Sequence, residues 1–298
     1  MPWLDLVYAA VEHHVASQGE DADRHGRDLR ADLHTWLRQG FVVFPAAVSD
    51  ELCDSYLSDL QDLWNGKVGA AVTFRQPDGT ERHWEQLSVQ ELADPGLVAV
   101  DFHNQSMAGK RVACHQVVVE FLGHVFKEQI VLVESFSTLR GVDQLTHDEG
   151  SRSRTHSGSL VAGVFVALEE CRLDTGPVGL FPGSHGLNME PAPAGETGEE
   201  RHRRLEDLCG RSVGDRRLLV LDKGDVVVWH GALVHGGTDP INREVSRLAL
   251  LAHFAPMSAY RFDHRAPEAT PKRQLVNGAL VFGDPRYPEL ENSLGRRR

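Results

Sequence analysis

The spacing of hydrophobic positions changes character along the chain. Leu4, Val7, Tyr8 and Val11 recur at i, i+3, i+4 and i+7, and Leu29, Leu33 and Leu37 share one face, so residues 3–38 predict helix. The polar, acidic stretch Gln18–Gly26 divides that region into two helices. Gly40-Phe-Val-Val-Phe-Pro45 is a short apolar run closed by proline and predicts a strand. Ser49-Asp-Glu-Leu52 opens like a capped helix, which the apolar spacing carries to Trp64. Residues 67–112 give little beyond a turn at Gln76-Pro-Asp-Gly79 and a short helix over 86–93. Residues 113–126 predict a mostly buried helix. From there on, Ile130–Ser137, Ser159–Leu168, Pro177–Phe181, Asp225–Trp229 and Leu248–Phe254 are short apolar runs between Gly, Pro, Asp and Asn clusters.

An α-rich opening followed by short strands predicts a mainly β sandwich or barrel with helices packed outside it. Residues 189–215 are rich in Pro, Glu and Arg and predict a surface insertion or lid. No linker separates the helical part from the strand part, so residues 1–298 read as one domain. Composition narrows the function. Lys and Arg number 31 against 43 Asp and Glu, a formal charge of −12. That balance argues against nucleic acid or an anionic membrane as partner and leaves a small molecule. No apolar run approaches the ~18 residues of a membrane span. The acidic start MPWLDLVYAAVEHH lacks the basic-then-apolar order of a secretion signal. Four scattered cysteines without a C-x-x-C fit a reducing compartment, and a cytoplasmic protein is expected. The oligomeric state is not readable.

The chemistry concentrates in a few segments. In Gln144-Leu-Thr-His147-Asp148-Glu149, His147 and Glu149 lie two residues apart and point to one side of an extended chain. His235, after Trp229-His230-Gly-Ala-Leu-Val and before a double glycine, offers a second imidazole. Two histidines and a carboxylate on one face form the facial triad of non-haem Fe(II) oxygenases. Arg247 heads the run RLALLAHF, where a guanidinium can grip a carboxylate through two parallel bonds. Read alone, it is equally a strand-end ion pair.

Several blocks, in order, resemble the phytanoyl-CoA dioxygenase-like branch of the Fe(II)/2-oxoglutarate-dependent oxygenases. They are GFVVFP with its SDEL helix, RGVDQLTHDE, VFVAL, TGPVGLFPGSH, and GDVVVWH with HGG. The resemblance covers roughly residues 38–255, apart from 67–112, and its specific parts are the PGSH and Gly-Asp-to-His blocks. It implies a double-stranded β-helix (jelly-roll) core with flanking N-terminal helices. It further implies His147, Glu149 and His235 as Fe(II) ligands and Arg247 as the clamp on 2-oxoglutarate, with O₂ as the other cosubstrate and succinate and CO₂ as its products. Gln144 and Thr146 are expected beside the ligands, with Phe165 and Trp229 as walls. His185 and His230 are expected to be structural.

This chain departs from the branch in having Glu149 where an aspartate is usual, with the neighbouring Asp148 as the alternative ligand. Gly237 stands where a hydroxyl residue is common, with Thr238 nearby, and Arg243 is an alternative clamp. The related halogenases lack the carboxylate, so Glu149 argues against halogenation. Arg152, Arg154 and His156 just beyond the ligand pair, with Arg140 and His103, are candidate substrate contacts and point to an anionic substrate. The function expected is hydroxylation of a small molecule in a biosynthetic or tailoring pathway. The alternatives are a cupin-type metalloenzyme that does without 2-oxoglutarate, and a non-catalytic binding protein on the same fold.

Overall fold

The structure is a computed structural model that describes residues 27–69, 72–76, 79–92, 94, 96–139, 147, 160–187, 189, 193, 195–260, 273–283 and 295–296. The predicted helices over 3–26 lie outside them.

Helix α1 (Leu29–Gln39) starts where the Asp28 carboxylate accepts from the Ala31 amide and stops at Gly40, whose φ of 80° suits glycine. A Cβ on Gly40 would also strike the His185 ring at 2.5 Å. Strand β1 (Phe41–Phe44) follows, then α2 (Asp50–Trp64), capped by the Ser49 hydroxyl as its sequence predicts. The segment that gave no clear pattern forms three short strands, β2 (Thr73–Arg75), β3 (Glu81–His83) and β4 (Val98–Val100). The helix predicted over 113–126 starts three residues later, as α4 (Gln116–Phe126), and is preceded by a separate helix, α3 (Met107–Ala113), mostly inside the segment that gave no pattern. Strands β5 (Ile130–Thr138), β6 (Ala162–Ala167) and β7 (Gly179–Leu180) come next. They are followed by α5 (Gly198–Ser212), β8 (Arg217–Leu218), β9 (Val226–His230), β10 (His235–Gly236) and β11 (Ala249–Pro256). A hairpin of β12 (Arg273–Val276) and β13 (Ala279–Phe282) follows.

The large sheet runs β1-β9-β6-β11-β5-β4-β2-β3, and β10-β7-β8 form a small sheet. The fold is a jelly roll, with the two sheets packed face to face. Alternation along the large sheet sorts its side chains into two layers. Phe41, Phe165, Val227, Trp229 and Ala249 face inward and pack with Val178, Leu180, Leu219, Leu221 and Leu233. Val42, Phe44, Val164, Val166, Val228, Leu250 and Phe254 face outward, against Leu33, Trp36, Tyr56 and Phe121 of the helices. Strands covered on both faces have no polar side, which is why 226–229 reads as an unbroken apolar run.

The Gly-Asp pair before β9 has a mechanical role. A Cβ on Gly224, at φ 85°, would lie 2.2 Å from the Val48 carbonyl oxygen. The Asp225 carboxylate accepts from the Ala46 and Asp222 amides and ties the end of β1 to the start of β9. Segment 189–215 holds α5, whose Leu205 and Cys209 are buried with Phe181 and Val234. All four cysteines are buried and free. Burial pushes the thiols of Cys53 and Cys209 up to about 11 and that of Cys114 to about 12, so they pack as small hydrophobes. Among the described residues, no helix is long and apolar enough to cross a membrane.

Candidate metal centre

His235 begins β10, and His147 lies directly opposite it. The His147 amide donates to the His235 carbonyl at 2.8 Å, and the His235 amide returns the bond at 2.9 Å. Both residues are buried, and their ring centroids are 4.5 Å apart. Nδ1 of His235 lies 2.8 Å from the Leu233 carbonyl oxygen, which only accepts, so Nδ1 carries the proton. Nε2 then presents a lone pair, the form in which histidine binds a metal ion. Trp229 stands against His235, with ring centroids 5.0 Å apart.

The PGSH turn sets this strand. Gly183 turns at φ 84°, and the Ser184 hydroxyl accepts from the Val234 amide at 2.8 Å, next to His235. Nε2 of His185 lies 3.1 Å from the Leu37 carbonyl oxygen, and His230 is buried between Trp36 and His185. Both histidines are structural, as expected. Burial holds His185 below the usual histidine range and pushes His230 down to about 3.

Arg247 is buried at the head of β11. Its Nη1 donates to the Gly176 carbonyl at 2.6 Å, and its Cζ lies 5.4 Å from the centre of the Phe165 ring. Nε has no partner, and no carboxylate pairs with Arg247 among the described residues. Desolvation lowers the guanidinium's pKa. A buried cation without a counter-charge is costly, which makes this a place built for an anion. Glu169, which the motifs did not flag, fixes the backbone around Arg247 by accepting from the Ser246 hydroxyl and the Leu248 amide. Arg243 is exposed and paired with Asp239, so it does not reach the cavity.

A cavity of about 590 Å³ joins these groups: His147, His235, Trp229 and Arg247 all line it. Segment 67–112, which gave no motif, supplies Arg75, Gln76, Glu81 and Val98 to its wall. Phe136 and Glu134 of β5 and Leu251 and His253 of β11 line it as well. Their signal in the sequence was the period of two that places 247, 251 and 253 on one face. His103 is not brought to the cavity. It lies behind β5, with Nδ1 2.6 Å from the Ser135 hydroxyl, because Ser135 and Glu134 point to opposite faces. Thr238, considered as a replacement hydroxyl, donates to the Pro177 carbonyl. Arg216, also missed, donates to the carbonyls of Gly236 and Gly237 at 2.7 and 2.9 Å, just after His235. It crosses the space that a Cβ on Gly179 would fill.

Arg140, Gln144, Thr146, Asp148, Glu149, Arg152, Arg154 and His156 lie outside the described residues. Among the described residues, no three potential ligands cluster as a metal site. The pair that is present fits a divalent transition metal: two imidazoles line one cavity, and the Leu233 carbonyl fixes His235 in a tautomer that binds metal.

Residues 36–245 match the family model described as phytanoyl-CoA dioxygenase (PhyH). No curated protein matches the sequence. Among solved structures, the chain is similar to the epimerase SnoN in complex with Fe3+, alpha ketoglutarate and nogalamycin RO. That likeness has 17% identity, 86% of this chain and 98% of that chain covered, and a TM-score of 0.62. It is similar to the carbocyclase SnoK from nogalamycin biosynthesis, at 15% identity, 90% and 98% coverage and a TM-score of 0.60. It is also similar to EctD from S. alaskensis with bound Fe, at 16% identity, 83% and 82% coverage and a TM-score of 0.59. At these identities the likeness is one of fold.

Proposed function

The chain belongs to the phytanoyl-CoA dioxygenase family, and on that footing we propose that it is an Fe(II)- and 2-oxoglutarate-dependent oxygenase that hydroxylates a small molecule. One observation carries the reading. Two directly opposed histidines and a buried arginine with no carboxylate partner among the described residues converge on one cavity.

His147 and His235 would hold the iron through ring nitrogens, with Glu149 as third ligand from its place two residues after His147. Asp148 would point to the opposite side of an extended chain. When bound, iron with 2-oxoglutarate and O₂ supplies the oxidising power to take hydrogen from an unreactive carbon, with succinate and CO₂ as by-products. Arg247 receives the far carboxylate of 2-oxoglutarate, and the Gly176 carbonyl and the Phe165 ring keep its guanidinium in one plane. The Leu233 carbonyl keeps His235 in the metal-binding tautomer. Trp229, Phe136 and Leu251 exclude water from the place where the substrate carbon must lie.

Hydroxylation is the outcome proposed, in a biosynthetic tailoring role. SnoN is described as an epimerase and SnoK as a carbocyclase, so inversion and ring closure are the outcomes that product analysis must separate.

Anaerobic titration with Fe(II) and then 2-oxoglutarate tests the reading. The weak visible charge-transfer band of chelated iron should form. Arg247→Ala should weaken 2-oxoglutarate binding by about a hundredfold, and Glu149→Ala should weaken iron binding. Iron binding without the band would favour a cupin-type metalloenzyme. Absence of iron binding would overturn the assignment.

A further inference from the structure

The candidate ligand His235 sits on a strand with few bonds of its own. β10 is two residues long. It pairs with β7 on one side and, among the described residues, meets the single bridge to His147 on the other. A ligand on so short a strand must be held from elsewhere, or its ordering opposes every metal that binds.

One segment outside the cavity holds it on both flanks. Leu205 and Cys209 of α5 are buried with Phe181 against Val234, the residue before His235. Arg216, four residues beyond the end of α5, donates through Nη2 to the carbonyls of Gly236 and Gly237, the two residues after His235. β7 lies between β8 and β10, so Arg216, just before β8, reaches those carbonyls only by crossing β7. The crossing is at Gly179, directly opposed to Gly236, where a Cβ would lie 2.1 Å from Nε of Arg216. His235 lines the cavity, whereas Leu205, Cys209 and Arg216 do not. The support therefore stands on the outer face of the small sheet, behind the ligand.

Charge does not explain an arginine here. A cation beside a metal ligand opposes metal binding by Coulomb repulsion. Glu206 of α5 offsets that charge, with Oε1 3.4 Å from Nη1, and the same contact hooks the guanidinium to the helix. What Arg216 offers β10 is two hydrogen bonds at a fixed position.

We infer that α5 and Arg216 form a strut behind the metal centre, in which Arg216 is the positioning residue for His235. Through it the packing of α5 sets how well the ligand is aimed. The inference rests on the reading of His235 as a metal ligand.

The test is titration of the metal-free protein with Co(II), whose visible absorption reports both affinity and coordination geometry. Arg216→Gln removes the two bonds. Gly179→Ala leaves Arg216 in the chain but blocks its path, and keeps the test alive should Arg216→Gln disturb folding. Each should weaken Co(II) binding by about tenfold and alter the shape of the absorption band, a change that a loss of global stability alone would not produce. The double variant should bind no more weakly than either single one, because both break the same contact. Arg216→Lys, which keeps the charge and can donate to one carbonyl, should recover part of the affinity. Wild-type affinity and spectrum in both single variants would overturn the strut and leave the metal reading standing. Tighter binding by Arg216→Gln would overturn it too, since charge would then outweigh positioning, and so would losses that add in the double variant. Failure of the wild type itself to bind Co(II) would sink the metal reading and the strut with it.

Discussion

His147 and His235 exchange both of their backbone hydrogen bonds, at 2.8 and 2.9 Å. Their separation is therefore set by the pairing of two chain segments, and side-chain contact adds little to it. A pair fixed in this way exists before any metal arrives.

The protein stripped with a chelator should therefore still unfold cooperatively. Iron should add stability only by binding the folded state, about 2.7 kcal/mol at a hundred times Kd. Anaerobic thermal denaturation with and without Fe(II) would show a rise in Tm of about 5 °C. An unfolded apo protein would contradict the preformed pair.

Arg247 and Arg243 should behave as opposites. Arg247→Lys keeps the charge but replaces a planar fork with a point donor, and 2-oxoglutarate affinity should fall by about tenfold or more. Arg243→Ala removes an exposed ion pair with Asp239 and should change stability by no more than about 0.5 kcal/mol, leaving 2-oxoglutarate affinity unaltered. Calorimetric titration of the Fe(II)-loaded variants checks both.

Gly163→Ala should disturb the site from within the sheet. The added Cβ would lie 2.3 Å from the Trp229 ring. Overpacking of this kind costs about 1–3 kcal/mol. It should also push Trp229 toward His235, and a changed tryptophan emission spectrum would report the movement.

Acid should weaken the fold through His230. Burial pushes its pKa down to about 3 in the folded protein, against about 6.5 in the unfolded chain. The unfolded state therefore binds the extra proton between those values, and stability falls as pH drops from 6.5 toward 3, by about 1.4 kcal/mol per unit at most. His185 acts in the same direction. His230→Gln should flatten the slope in urea unfolding measured across that range.

Arg216→Gln removes the bonds to the Gly236 and Gly237 carbonyls. Iron affinity should fall by about tenfold, as it does when groups that hold a ligand in place are lost. Unchanged iron affinity would show that the PGSH turn alone holds β10.

The site was legible in the sequence wherever its parts are contiguous. The Gly224-Asp225 turn, the PGSH turn and the run headed by Arg247 are local arrangements, and their residue types follow from their backbone geometry. The long strands were legible because burial on both faces leaves unbroken apolar runs. Strands β2, β3 and β4 were not. Each is three residues long, too short to show a period, and each forms only by pairing across the sheet. Helix α3 was not read at all, and the start of α4 was placed three residues early, because Cys114 and His115 between them are not strong helix breakers. Glu134 and His253 were hidden for another reason: only strand pairing brings them together, and neither sits in a motif.

The order of strands in the large sheet separates two jobs. The candidate iron and cosubstrate residues come from the later part of the chain, whereas Arg75 and Glu81 stand on the β2–β3 hairpin, the last members of the sheet, joined to the rest through β4 alone on that path. Phe74 anchors the hairpin in the main core, whereas Arg75 and Glu81 face the cavity, so changes at those two positions retune what enters it without touching the candidate iron and cosubstrate residues.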